Sequence, residues 1–325
     1  KRVIMIKPIL ISLAFAFSTV LAPTASAEPS TPDTIAKPAA LISAGDLATK
    51  LDQDNLRILD IRTDKEYAAG HVPGAVHTPY GAYRGPAENA GALRSEADLS
   101  ALFSKAGISK DSYVVVTYAG ANPTDFGAAA RVYWTLKAGG LTQLSILDGG
   151  LQAWEAEGKP LSKDTPTVTP TEFSYHYNKD MVVSTQEVAD YIKNGQAPVL
   201  LDARPTEFFK GEKRVDAAAR YGTLPGAREL DFNSFFRSDK PVLKDTGELV
   251  KIVKEQGLDD KPTVSFCNTG HWAATNWFVL SELAGNPNVK LYPESVVEWS
   301  RSNLPMDNQP SRFEVLKLDA KRAIN

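Results

Sequence analysis

The 325-residue chain is 43% hydrophobic, enough apolar content to fill the cores of two domains of ordinary size. Its formal net charge of -3, with acidic and basic residues interspersed, supplies no basic field, so no nucleic-acid partner is expected. One cysteine excludes an internal disulfide, and the four histidines, His71, His77, His176 and His271, are scattered rather than set at ligand spacing, so neither a metal nor another cofactor is expected.

In chain order, Lys7 precedes an apolar run from Ile9 to Ala22 that is interrupted by Ser12, Ser18 and Thr19 and followed by Pro23. The run is shorter than the ~20 residues of a spanning helix, and Ala25-Ser26-Ala27 has the small-residue spacing of a cleavage site. Residues 1–27 therefore read as a signal peptide cut after Ala27. A periplasmic or secreted protein is expected, with no membrane association after cleavage. Residues 28–40, rich in Pro, Thr and Ala, read as a flexible lead-in.

A first domain is expected over 41–163. Ser43 opens a helix through Leu51, and Leu56 to Ile61 is a strand followed by Arg62. A helical turn over Glu66 to Ala69 leads into the loop Gly70-His71-Val72-Pro73-Gly74-Ala75. A helix from Leu99 to Ala106, the strand Tyr113 to Tyr118, a helix from Phe126 to Ala138 and the strand Ser145 to Leu147 follow. Asp148-Gly149-Gly150 then turns into a short helix holding Trp154. Strands alternating with helices of this length predict an α/β fold, a mainly parallel sheet with helices on both faces.

Residues 164–181 read as a linker, after which the same order recurs over 182–310 and leaves a C-terminal tail at 311–325. Ser184 to Glu187 has a capping-box pattern, Leu200-Leu201-Asp202-Ala203-Arg204 repeats Ile58 to Arg62, and Leu224-Pro225-Gly226-Ala227 repeats Val72 to Ala75. The strand and loop at Cys267 match Val115 to Ala119, and Glu298-Trp299 matches Ala153-Trp154. The main insertion in the second half, Phe209 to Tyr221, carries Lys210, Lys213, Arg214 and Arg220.

The lone cysteine lies where the strand Thr263 to Phe266 gives way to Cys267-Asn268-Thr269-Gly270-His271 and then to a helix from Trp272 to Leu283. A loop of this kind aims backbone N–H groups inward and the helix start adds partial positive charge, which together favour a thiolate. Gly270 serves the tight path, His271 is a candidate for charge or substrate orientation, and Trp272 for a pocket wall. Arg204 is a candidate anion binder, although the matching Arg62 has no cysteine to serve, which favours a structural ion pair. A phosphatase reading lacks its equatorial arginine, since Cys267 to Ala274 contains none.

Asp-x-Arg after a first strand, Pro-Gly-Ala after a turn, Leu-Asp-Gly-Gly-Leu-Gln-Ala-Trp at 147–154 and Cys-x-x-Gly before a helix recur in an order that resembles the tandem-domain rhodanese family, the thiosulfate and 3-mercaptopyruvate sulfurtransferases of exported bacterial type. The resemblance covers about residues 41–305. It implies two rhodanese-like domains, the first without a thiol (Ala119 taking the cysteine's place) and the second catalytic, with Cys267 carrying sulfane sulfur as a persulfide. Transfer from thiosulfate or a related small-molecule donor to cyanide or a thiol is implied, with Arg204, Lys210, Asn268, Thr269, Gly270, His271 and Trp272 as substrate-binding residues. The alternative is a non-catalytic sulfur carrier or interaction protein.

Three departures bear on the donor. Asn268 and Thr269 are neither the basic pair nor the small pair that family members carry after the cysteine; Pro293-Glu294-Ser295-Val296 replaces Asp-Gly-Ser-Trp; and Phe208 stands where an arginine is common. Anion binding is then expected from Arg204, Lys210, Arg214 or His271. The first half is expected to act as a scaffold that lends wall residues to a cleft between the halves, and the chain to act as a monomer.

Overall fold

The structure, a computed structural model, describes Met5 and residues 38–195, 198–238 and 240–324. The expected signal segment, save Met5, and the lead-in up to residue 37 lie outside the described residues.

The first half runs β1 (Leu41–Ile42), α1 (Ala44–Ala48), β2 (Leu56–Asp60), α2 (Asp64–Ala69), β3 (Val76–His77), α3 (Glu96–Lys105), β4 (Tyr113–Thr117), α4 (Pro123–Ala138), β5 (Leu144–Leu147) and α5 (Gly150–Ala156). Its five strands are parallel in the order β1-β5-β4-β2-β3. All five residues of β4 are buried, as a central strand covered on both faces requires. Helix starts follow side-chain chemistry. Thr63 and Glu66 form a capping box at α2, and Asn122 accepts from the Asp125 N–H at α4, where Pro123 takes the first helical position.

The second half repeats this with α6 (Thr185–Lys193), β6 (Val199–Asp202), α7 (Thr206–Phe209), β7 (Arg228–Glu229), α8 (Thr246–Glu255), β8 (Thr263–Phe266), α9 (Trp272–Phe278), β9 (Val289–Leu291) and α10 (Ser295–Arg301). Its sheet order is β7-β6-β8-β9, again parallel. The duplication extends to single hydrogen bonds. Trp154 Nε1 donates to Pro160 O and Trp299 Nε1 to Pro305 O, both at 2.9 Å.

Register corrects one expected correspondence. Ile61 N bonds Thr117 O and Ala203 N bonds Phe266 O, while Leu151 N bonds Tyr118 O and Val296 N bonds Cys267 O. The counterpart of Cys267 is thus Tyr118 and not Ala119, because the hydrogen-bond ladder, rather than residue similarity, sets the alignment of the two halves.

The halves share a core. Helices α4 and α9 pack on each other, with Tyr133 edge-on to Phe278 at 5.1 Å, and the largest apolar cluster draws residues from both halves. The 164–181 segment is pinned to the first half by Tyr175, which is buried and whose hydroxyl donates to Thr135 O at 2.9 Å.

The stretch read as a C-terminal tail is instead a helix, α11 (Arg312–Ile324). Ser311 and Glu314 cap it reciprocally, and Asp319 ties it to the inserted segment by accepting from Arg214 at 3.1 Å and Tyr221 at 2.8 Å. Two of the inserted cations, Arg214 and Arg220, are therefore structural: Arg220 donates to the carbonyls of Trp299, Ser300, Ser302 and Leu304. Among the described residues no helix is long and apolar enough to cross a membrane.

Candidate active site

Cys267 follows β8 directly, is a free thiol and is 1% exposed. Two of the loop's N–H groups, those of Cys267 and Gly270, are taken by Ser295 Oγ at 3.1 Å each, so they do not face the thiol as the sequence suggested. The N–H groups of Asn268, Thr269, His271 and Trp272 have no acceptor among the described residues. They are the loop donors left free for a ligand.

Ser295 explains the altered Pro293-Glu294-Ser295-Val296 turn. It has φ +53, in the place of Gly150 in the first half at φ +64, and its hydroxyl donates to Tyr292 O at 2.8 Å while accepting the two loop N–H bonds. A serine in the left-handed region costs about 1–2 kcal/mol, offset by the satisfied buried donors. Glu294 needs no glycine, because its backbone is right-handed (φ -72, ψ -29), unlike Gly149 at φ +73.

Gly270 has φ +67, and a Cβ there would lie 2.4 Å from Arg131 Nη1 and 2.7 Å from Pro293 O. Its role in the tight path is thereby explained by both backbone conformation and close approach. Trp272 stacks on Phe232 at 5.0 Å, meets Phe208 edge-on at 5.9 Å, and donates from Nε1 to Thr124 Oγ1 at 3.2 Å. Asn268 and Thr269 lie in the loop itself, their carbonyls accepting from Val297 N at 3.0 Å and Arg84 Nη2 at 2.7 Å.

Of the cations named as anion-binding candidates, Lys210 and His271 are corrected, while Arg204 forms the structural ion pair that its match with Arg62 favoured. Arg204 is 1% exposed, with Nε and Nη2 committed to Asp202 at 2.8 and 2.6 Å and Nη2 also to Gly222 O at 3.0 Å. Only Nη1 turns to the loop, reaching Asn268 Oδ1 at 3.5 Å. Arg62 makes the same pair with Asp60 and the same bond to Gly70 O, so the pair belongs to the repeated architecture. Lys210 is exposed and lines a surface groove with Asn308, Glu314 and Lys317 beside α11, not the thiol loop. His271 is no cation. Burial first, then the charge of Arg84, pushes it down to about 3, and its ring is engaged at both nitrogens: Nδ1 with Tyr80 Oη and Nε2 with Thr124 O, each at 2.8 Å. Since the Thr124 carbonyl only accepts, Nε2 carries the proton and Nδ1 accepts from the tyrosine.

Of the residues that sequence reasoning missed, Ser295 belongs to the second half and the others come from the first. Arg84 donates to Thr269 O, Arg131 Nη1 donates to Gly270 O at 3.1 Å, and Tyr80 and Thr124 hold His271. Arg131 is 1% exposed, and burial followed by repulsion from Arg84 pulls it down to about 10, so it is charged at neutral pH. One signal was available: a single arginine in the apolar stretch from Phe126 to Ala138. Among the described residues no group of His, Cys, Asp or Glu is arranged to hold a metal ion.

Comparison with known proteins adds to this geometry. A family model described as "Rhodanese-like domain" matches residues 43–157 and again 184–302. A Synechococcus elongatus protein described as a candidate thiosulfate sulfurtransferase is 33% identical over 82% of this chain and 84% of its own. A Thermus thermophilus relative named sulfur carrier protein TtuD is 28% identical over 81% of this chain and 94% of its own. Among solved structures, the 3-mercaptopyruvate sulfurtransferase SseA of Escherichia coli superposes with a TM-score of 0.68 at 29% identity, covering 79% of this chain and 99% of that one.

Proposed function

We propose, since the chain belongs to the rhodanese-like domain family, that it is a sulfurtransferase working through a persulfide on Cys267. The observation that carries the reading is the lone thiol at the end of a buried central strand, in a loop that both halves hold in place while four of its N–H groups stay unpaired. In the first step the Cys267 thiolate attacks the outer sulfur of thiosulfate; the donor's S–S bond breaks and sulfite leaves with the electron pair. In the second, a thiolate or cyanide attacks the persulfide's outer sulfur and the Cys267 thiolate departs. No oxidant or reductant is consumed. The unpaired N–H groups supply partial positive charge for the terminal sulfur between the steps.

Mass spectrometry of the protein after incubation with thiosulfate, 3-mercaptopyruvate and glutathione persulfide in separate reactions is expected to show a gain of one sulfur on Cys267 with at least one donor. No gain from any, with the thiol reduced and alkylatable, would sink the reading. The relative named as a sulfur carrier favours a second reading, in which the persulfide forms once and waits for a protein acceptor. Single turnover without sustained thiocyanate production from cyanide would select it.

Export is part of the same proposal, supported by Lys7, the apolar run from Ile9 to Ala22 and Ala25-Ser26-Ala27. N-terminal sequencing of protein from the producing cell is expected to begin at Glu28, and an intact leader on cytoplasmic protein would refute it.

A further inference from the structure

Arg84, Arg131 and Arg204 are at most 7% exposed and the Arg62 side chain is 8% exposed, and these arginines divide into two kinds. Arg62 and Arg204 each face a buried aspartate at 2.6 Å. Arg84 and Arg131 face none: among the described residues neither has a carboxylate within ion-pair distance, and both instead donate to carbonyls of the thiol loop, Arg84 to Thr269 and Arg131 to Gly270. Buried charges are ordinarily paired, so two unneutralised guanidinium groups beside one loop mark a place where negative charge belongs.

A second observation points the same way. Arg84 is 7% exposed, and its Nη1 is closed off from solvent without any acceptor, although Nη2 of the same fork is bonded at 2.7 Å. Arg131 Nε is similarly orphaned. A buried donor with no partner in a native structure calls for an explanation, and a ligand that supplies the missing acceptor is one. The alternatives named from the sequence are engaged elsewhere: Arg204 with Asp202, Arg214 with Asp319, and Lys210 beside α11.

We propose that Arg84, with Arg131 behind it, is the anion-binding residue of this active site, and that it holds through Nη1 the negatively charged end of the sulfur donor, opposite the sulfane sulfur. The proposal rests on the sulfurtransferase reading and deepens it. It places the specificity for donor charge in the half of the molecule that has no thiol. The donor class is a small anion ending in a sulfonate or carboxylate, whose oxygens suit a planar guanidinium fork. During transfer from thiosulfate the electron pair of the broken S–S bond departs with sulfite, whose charge stays beside Arg84 while the new S–S bond forms at Cys267. The loop cations lacking at Asn268 and Thr269 are thus replaced from across the molecule.

The test uses the full chain and two donors of opposite charge at the end away from the sulfane sulfur: thiosulfate, and cysteamine persulfide, which ends in an ammonium group. Arg84→Gln is expected to lower kcat/KM for thiosulfate about 100-fold more than for cysteamine persulfide, mainly through KM. Arg84→Lys keeps the charge and loses the fork; it should recover part of the thiosulfate rate, and it serves as the second variant if the glutamine form does not fold. A parallel fall for both donors would make Arg84 a positioning residue acting through Thr269 and overturn the proposal, as would no change in either. Should the wild type gain sulfur from neither donor, nor from 3-mercaptopyruvate or glutathione persulfide, the sulfurtransferase reading fails by itself. The anion site is then decided by protection: sulfite should slow iodoacetamide labelling of Cys267 in wild type and not in Arg84→Gln, and equal slowing in both would overturn it.

Discussion

Exchanging Cys267 for serine is expected to lower turnover by roughly 10⁴-fold or more while shifting the melting temperature by no more than about 2 °C. The substitution is nearly isosteric in a site that is 1% exposed, so packing against the neighbouring core changes little. The chemistry changes completely. A serine hydroxyl is not ionised at neutral pH and needs a base, and the one imidazole near the loop already has both nitrogens bonded, to Tyr80 and to Thr124. Steady-state thiocyanate formation from thiosulfate and cyanide, with a parallel thermal melt, measures both quantities. Retention of more than about a hundredth of wild-type turnover would mean that sulfur does not pass through position 267.

Gly270→Ala is expected to destabilise the protein by about 3 kcal/mol or more and to cut turnover about 100-fold. The left-handed backbone accounts for about 1–2 kcal/mol of this. The rest comes from crowding: the new methyl would sit 2.4 Å from Arg131 Nη1, 2.7 Å from Pro293 O and 2.8 Å from Pro293 Cα, two of which are backbone atoms with little freedom to yield. The loop must move, and both the Arg131 bond to Gly270 O and the Gly270 N–H bond to Ser295 Oγ move with it. Gly226→Ala is the control. Gly226 has φ +70 with nothing within 4 Å of a Cβ, so only the conformational part, about 1–2 kcal/mol, should appear in urea unfolding. Equal losses at the two positions would show that close packing at Gly270 contributes nothing.

The two halves were legible because each local feature has a local cause. Short apolar strands, the capping box at Ser184 and Glu187, the Pro-Gly turns and the tryptophans at 154 and 299 are specified by neighbours in the chain, and their recurrence exposed the duplication. The C-terminal helix was not legible in this way. It buries little of its apolar side: Phe313 and Leu316 remain exposed, and what holds it is Asp319 reaching Arg214 and Tyr221 about a hundred positions away.

The sequence alone determined that one thiol follows a buried strand in the second of two repeated α/β units, since strand, glycine loop and helix are properties of contiguous residues. Which charged groups reach that loop was decided only by tertiary structure. Arg204 was a candidate anion binder whose match with Arg62 already favoured an ion pair, and Asp202, two residues before it, neutralises it at 2.6 Å. Arg84 carried no mark of the site and Arg131 only that of an arginine in an apolar stretch; they lie 183 and 136 positions from Cys267 and reach its loop because α4 packs on α9 and brings the thiol-free half against it. Charge acts through space over a few ångströms, and it is the packing of the two halves that sets those distances.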